Sequence, residues 1–389
     1  MEMEYVTTTC PYCGTGCGLN LIVVNGKAVG VAPYHRSPVS SGKLCTRGLH
    51  AAKALTEWRI EKPCVRGESV TWDVALTEAK KISGYSGDEI AVAISSRLTN
   101  EAMFLALRYA REVLGAGNIG VVGGGCGKST GKLSELAKAD VVLMIGDVMK
   151  RLPVTGNKLY HVQKHGGKLL YLGPESYTAV QADATFITEE YTTIPAEFTE
   201  AITAAANPVV MYLAGDAAAA AIAANLPAKT AVLYETNNGR GAALLGLEQF
   251  VLGEKTKALF IITETPEREE DIYADLIQAV NKLEMIVAIG SNATYLSDAA
   301  TVLLPSAALN EYPGTVTNWE GRVQKVRAAS AVPEDAKCPC EIISLLSDGK
   351  YAWEDKAAIF ADLAAAVPAY TDIAYEEIEK PDGVFIKEE

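Results

Sequence analysis

The strongest constraint on the fold is a series of short apolar segments spaced through the chain from about residue 89 to residue 305. EIAVAIS, ADVVLMIG, GKLLYLG, NPVVMYLAG, TAVLYE, ALFIIT, MIVAIG and ATVLLP are each of strand length and nearly continuously apolar. A strand with no polar face needs cover on both sides, which is the situation of a parallel sheet between helical layers. Helix-like stretches lie between them, as in NEAMFLALRYAREVLG and EDIYADLIQAVNKL. The alanine-rich AGDAAAAAIAANL fits a tightly packed helix, because Ala is the best helix former. This alternation predicts an α/β fold with doubly wound parallel-sheet domains. Several strands run directly into Gly or a polar residue, as in ISSR, IGD, LGP, AGD and IGS. Ligands of open α/β sheets bind beyond the carboxyl ends of the strands, so a cofactor is expected against these loops.

The first 60 residues follow a different pattern. Cys10, Cys13 and Cys17 in TCPYCGTGCGLN, with Cys45 in GKLCTRG, have the spacing C-x2-C-x3-C-x27-C. Three thiols this close do not share a regular helix or strand face, and Gly14, Gly16 and Gly18 let the backbone wrap around something. Four thiolates so arranged suit a [4Fe–4S] cluster, and so a protein that handles electrons. A zinc site and purely structural thiols are the alternatives. Zinc usually takes two C-x2-4-C knuckles, and here only Cys45 returns. The opening MEMEYVTT has neither the basic nor the apolar region of a signal peptide. A reducing, cytoplasmic setting without disulfides is therefore expected. Downstream, LNLIVVNGKAVGVAP predicts a hairpin turning at Asn25-Gly26. TWDVALTEAKKI predicts a helix with Thr71 as its cap.

A length of 389 residues favours two or three domains. The formal net charge of −13 argues against general binding to nucleic acid. The chain has no uncharged apolar stretch of about 18 residues, so no direct membrane span is expected. VVGGGCGKST looks like a phosphate-binding P-loop but fails on spacing, since the position that needs Gly is Val122. Gly123, Gly124, Gly125 and Lys128 still offer flexible N–H groups and a charge to an anion, or simply make a strand-to-helix turn. Cys126, within this loop, is either a buried apolar residue or a metal ligand. Cys338 and Cys340, in CPC, are expected as exposed loop thiols and Cys64 as a structural one. The acidic end, EEIEKPDG and then KEE, is expected to be solvated or to dock.

TCPYCGTGCGLNLIVVNGKAVGVAP with GKLCTRG resembles the cluster domain of the molybdopterin oxidoreductases, nearest to formate dehydrogenase alpha subunits. The likeness continues through TWDVALTEA, TNEAMFLALRYAREVLGAGNI, AKADVVLMIGD, NNGRGAALLG and LSDAATVLLPSAALNEYPGTVTNWEGRVQKVRAA, covering nearly all of residues 5–330. The resemblance implies a cluster domain over residues 1–60 and an α/β core over 61–330, built as two interleaved subdomains. Residues 331–389 are left as an extension or docking tail. It implies a [4Fe–4S] cluster on Cys10, Cys13, Cys17 and Cys45, and a molybdopterin guanine dinucleotide carrying Mo or W. Arg47 matches the cation between cluster and pterin, and Cys126 matches the Mo or W ligand.

The departures are as informative. The family's formate dehydrogenases place a His after that Cys, where this chain has Gly127. They place an Arg before the Asn-Asn pair, where this chain has Tyr234. Neither replacement carries the charge that handles the proton or the carboxylate. IGDVM and LGPESYT lack the polar pattern usual for the cofactor's nucleotide ends. The family's C-terminal barrel domain is not seen after Trp319-to-Arg327. Two kinds of relative fit. One resembles the large iron–sulfur subunit of respiratory complex I, which keeps the fold without the metal–pterin group. The other resembles formylmethanofuran dehydrogenases, where a separate chain supplies the cap and Cys126 would bind metal for formate or C1 chemistry. No G-x-G-x-x-G follows a predicted strand, so no NAD domain is expected. Ferredoxin-like, iron–sulfur or flavin subunits are the expected partners.

Overall fold

The computed structural model describes residues 2–125, 127–264, 274–379 and 382–387. Three antiparallel strands open it, Met3–Thr9, Gly18–Val24 and Lys27–Pro33. The last two turn at Asn25 and Gly26, whose φ values of 50° and 75° are the left-handed pair that an Asn-Gly hairpin supplies cheaply. The cysteine loop fills the connection between the first two strands, closed by the Cys10 N–H donating to the Cys17 carbonyl at 2.9 Å.

The eight apolar runs all form strands, in two sheets. The larger has seven strands, in the order Glu68–Ser69, Cys64–Val65, Val302–Pro305, Met285–Gly290, Ala258–Thr263, Ile90–Ser95, Asn118–Val122. The last five run parallel. Ile90–Ser95, Ala258–Thr263 and Met285–Gly290 are buried at every position, as strands covered on both faces must be. The second sheet is wholly parallel, in the order Ala184–Ile187, Lys168–Gly173, Val141–Ile145, Pro208–Leu213, Lys229–Leu233. It is made entirely while the chain is away from the first sheet, between Val122 and Ala258. A small antiparallel sheet joins Gly314–Thr317, Arg322–Val326 and Val384–Phe385.

Helix Asn100–Glu112 is capped by Thr99, whose hydroxyl accepts from the Ala102 N–H. Thr71 stands at the N-cap of Trp72–Lys80 but makes no such bond. The Ala-rich segment forms helix Ala217–Ala224. Of EDIYADLIQAVNKL, helix Ala274–Val280 is described and residues before 274 lie outside the described residues. Near the C-terminus, Pro339–Leu346 and Lys356–Ala366 pack on Asn100–Glu112, and Ile342, Ile343, Phe360 and Leu363 enter the same core as Leu105 and Tyr109. Among the described residues no helix is long and apolar enough to cross a membrane.

Directly after strand Ala258–Thr263, the middle one of the five parallel strands, comes Glu264, which is 3% exposed. Its carboxylate accepts from the Leu309 N–H at 3.0 Å and the Ser291 hydroxyl at 3.3 Å, and Oε2 has no partner. Next to it, Arg59 grips Glu311 through two bonds of 3.0 and 2.8 Å. Burial pushes the Glu264 carboxyl up to about 7, despite the Leu309 N–H and the Arg59 charge. A carboxyl raised in the folded state above its ordinary 4.5 holds its proton better folded than unfolded. Its stabilisation is full below that ordinary value and is lost as pH rises through about 7. We expect Glu264→Gln to melt above the parent at pH 8, by up to about 3 kcal/mol. The difference should vanish toward pH 5. Thermal melts across that range check it, and parallel pH profiles for the two proteins would remove Glu264 from this role.

Candidate functional site

The carboxyl ends of both parallel sheets meet under the cysteine loop. Tyr234, just past strand Lys229–Leu233, accepts at its carbonyl from the Gly14 N–H at 2.9 Å. Arg97, just past Ile90–Ser95 and 2% exposed, donates to the carbonyls of Pro11 and Tyr12 at 3.3 and 2.5 Å. The segment around the small sheet holds the rest. The Trp319 N–H donates to the Gly14 carbonyl at 2.9 Å, the Asn318 amide to Thr15 at 3.2 Å and the Gln324 amide to Gly16 at 2.8 Å. A Cβ on Gly14 would sit 2.7 Å from the Tyr234 carbonyl oxygen. On Gly16, whose φ is +71°, it would sit 2.1 Å from Gln324. These glycines therefore answer to the sheet ends pressed against the loop as well as to anything the loop surrounds.

Cys10, Cys13 and Cys17 are buried and Cys45 is half-buried at the N-cap of the short helix Thr46–Leu49. Burial raises the Cys10 thiol well above its ordinary range, and the charge of Cys13 adds to that. Cys17 is raised by burial and by Cys10, Cys13 and Cys45 together. A bare thiolate is therefore disfavoured at Cys10 and at Cys17. Among the described residues no three Cys, His, Asp or Glu side chains stand close enough to share one metal ion. The Cys13 thiol donates to the Thr15 hydroxyl at 3.5 Å, and Thr15 pairs with Thr155 at 2.9 Å. Arg47 donates to the Arg151 carbonyl at 2.7 Å, and its charge opposes the rise of the Cys10 thiol.

The glycine-rich loop follows strand Asn118–Val122 and crosses to the second sheet. Gly123 has φ +71°. The space beside the other glycines is taken by the protein itself. A Cβ on Gly124 would meet the Val121 side chain at 2.7 Å, on Gly125 the Ala214 backbone at 2.5 Å, and on Gly127 the Val232 side chain at 2.5 Å. The Gly127 carbonyl accepts from the Tyr234 hydroxyl at 2.5 Å and from Arg240 at 2.9 Å. The Ser129 hydroxyl and the N–H groups of Thr130 and Gly131 then bond along strand Lys229–Leu233. Lys128 is exposed and borders a cavity of about 40 Å³ with Arg240 and Glu320. Cys126 lies outside the described residues.

Residue patterns pointed to the four cysteines, Arg47 and the glycine-rich loop, but not to the donors that shape the cysteine loop. Arg97 carries a usable signal: a charged residue directly after a fully apolar strand must find buried partners. Asn318 and Gln324 carry none, because their partners lie about 300 positions earlier.

Residues 3–56 match the family described as Molybdopterin oxidoreductase Fe4S4 domain, and residues 212–349 the one described as Molybdopterin oxidoreductase. The two domains imply a [4Fe–4S] cluster and a molybdopterin cofactor. The chain is 28% identical over 510 residues to the F420-dependent formate dehydrogenase 2 subunit alpha of Methanococcus maripaludis, covering 97% of this chain and 75% of that protein. An alignment of 510 positions exceeds the 389 residues here, so more than a hundred positions of the relative have no counterpart inside the matched span. Formate dehydrogenase H of Escherichia coli is 29% identical over 204 residues, covering 44% of this chain and 28% of that one. Acetylene hydratase from Pelobacter acetylenicus shares the fold, with a TM-score of 0.66 at 13% identity, over 98% of this chain and 74% of that one.

Two substitutions separate the roles of the two loops. Arg97→Met leaves the Pro11 and Tyr12 carbonyls buried without a donor, at a cost of about 3 kcal/mol. It should lower both melting temperature and iron bound per chain. Gly125→Ala drives a Cβ into backbone and should lower the melting temperature by a similar overpacking cost of about 2 kcal/mol, with iron content kept. Melting curves and iron assays check both, and an iron loss in Gly125→Ala equal to that in Arg97→Met would merge the two sites.

Proposed function

We propose that this chain, which belongs to the molybdopterin oxidoreductase family, is the iron–sulfur electron-transfer subunit of a multi-subunit redox complex and has no working metal–pterin site of its own. Cys10, Cys13, Cys17 and Cys45 would hold a [4Fe–4S] cluster, which when bound supplies one-electron transfer. The chain's own groups prepare that setting. Buried carbonyls of the loop are tied down by Arg97, Trp319, Asn318 and Gln324, so the sulfurs change little in position between charge states. Arg47 places a fixed positive charge near Cys10 and favours the more negative, reduced state.

One observation carries the second half of the proposal: the glycine-rich loop is packed against protein. Gly125 abuts the Ala214 and Gly215 backbone, and the Tyr234 hydroxyl and one Arg240 nitrogen donate to the Gly127 carbonyl. Gly127 and Tyr234 stand where the resemblance puts a catalytic His and Arg, and here they bond to each other. The described glycines of this loop face protein neighbours, which supports a chain without a working metal–pterin site. The relatives' names, subunit alpha of formate dehydrogenases, support partner subunits that deliver or remove electrons. Iron–sulfur, ferredoxin-like or flavin subunits suit a chain with a single cluster.

The competing proposal is a catalytic subunit oxidising formate or a related C1 compound at a Mo or W centre on Cys126. The match to formate dehydrogenase alpha subunits over 97% of the chain favours it. Metal analysis of the purified complex decides between the two. We expect about four irons per chain and neither Mo nor W. Stoichiometric Mo or W with an extractable pterin would overturn the electron-transfer assignment. Cys126→Ser should leave the complex's activity unchanged, and its loss would restore Cys126 as a metal ligand.

A further inference from the structure

Cys338 and Cys340 are not the exposed loop thiols that their C-x-C spacing suggested. Cys338 is the N-cap of helix Pro339–Leu346, and Cys340, 5% exposed, lies in its first turn. Lys356, the first residue of helix Lys356–Ala366, brings its ammonium to 3.2 Å from the Cys338 sulfur. The Cys340 and Cys338 thiols titrate together. These features converge on one sulfur: a helix N-terminus, a cation and a neighbouring S–H all stabilise a thiolate at Cys338.

We infer that Cys338 and Cys340 form a thiol–disulfide exchange site that reduces a small organic disulfide admitted by the cavity beside them. That cavity measures about 780 Å³ and is bordered by both cysteines, Lys356, Tyr312 and Trp353. Tyr312 supplies an independent mark of a ligand site. It is 2% exposed, borders the cavity, and its hydroxyl has no hydrogen-bond partner. The other charged and titratable groups bordering the cavity are Lys325, Arg327, Glu341, Tyr351, Glu354, Asp355, Tyr375 and Glu379. Lys325 and Arg327 are both paired with Glu379, at 2.6 and 3.1 Å, and Lys356 is the cation that reaches the Cys338 sulfur. The titration of the two thiols agrees with a division of labour. The neighbouring Cys340 thiol and Lys356 hold Cys338 down at about 6, and Cys338 together with burial pushes Cys340 up.

The chemistry balances as a two-electron exchange. The Cys338 thiolate attacks one sulfur of the disulfide RS–SR, forms a mixed disulfide and expels RS⁻, which takes a proton from solvent. Cys340 then gives up its proton and attacks the Cys338 sulfur. The mixed bond breaks, and the second thiolate leaves carrying the proton that Cys340 released. The protein pair is oxidised to Cys338–Cys340 disulfide, and the substrate is reduced to two thiols. Cys338 is the attacking residue, Cys340 the resolving one, and Lys356 positions and charges the first.

The test uses the full-length protein with its iron, handled without oxygen, and oxidised glutathione as the probe. Mass spectrometry should find two glutathiones released per chain and a disulfide joining Cys338 to Cys340. Cys340→Ser should stop the reaction at one glutathione held on Cys338. Lys356→Met should slow alkylation of Cys338 by iodoacetamide at pH 7 about tenfold and move its pH profile upward. Half-buried Cys64 serves as the internal control. Adducts on Cys64 as fast as on Cys338, or an unchanged pH profile in Lys356→Met, would overturn the proposal. The Lys356 variant keeps both cysteines, so it decides the matter even if Cys340→Ser does not fold.

Discussion

A cysteine loop buried without regular secondary structure must find hydrogen-bond partners for its backbone elsewhere, and the rest of the fold is arranged to supply them. Residues 10–17 make two backbone bonds among themselves, Cys10 N–H to Cys17 and Gly16 N–H to Cys13. Pro11, Tyr12, Gly14, Thr15 and Gly16 all rely on donors from other parts of the chain. Leaving such carbonyls unpaired costs about 1–3 kcal/mol each, so the loop's shape is inseparable from the sheet ends that face it. That is why the carboxyl ends of two separate sheets converge at one place.

The parts of this architecture that were legible in the sequence are those with local causes. Strands buried on both faces announce themselves as unbroken apolar runs, and Asn25-Gly26 announces its turn through backbone conformation alone. Four cysteines at fixed spacing announce a site because their chemistry is rare. The rest depends on partners remote in sequence. Nothing near Cys338 forecasts Lys356, which arrives on a different helix, so the pair looked like surface thiols. Thr71 looked like a cap by residue type, yet its side chain makes no capping bond. A Cβ on Gly125 would meet the Ala214 backbone, a neighbour that nothing near Gly125 in sequence forecasts.

The glycine-rich loop forms a joint between the two sheets. It links the edge of the seven-stranded sheet to strand Lys229–Leu233 of the other, with bonds from Ser129, Thr130 and Gly131 along that strand. Glycine permits close approach whichever object approaches, cofactor or backbone. In this chain the object described is backbone, and the bonds that Tyr234 and Arg240 give to Gly127 fasten the joint further.

The nesting of one sheet within the other sets an order on biosynthesis. The cysteines leave the ribosome first, but Trp319, Asn318 and Gln324, which grip their loop, leave about 300 residues later. Strand Ala258–Thr263, the middle of the five parallel strands of the larger sheet, also appears only after the inserted sheet is complete. Contacts this distant in sequence form late. The nascent chain therefore presents three thiols in an open hairpin loop, and Cys45 shortly after, long before it can enclose them. That interval is the window in which iron and sulfide can be installed from outside, before the two sheets shut over the loop.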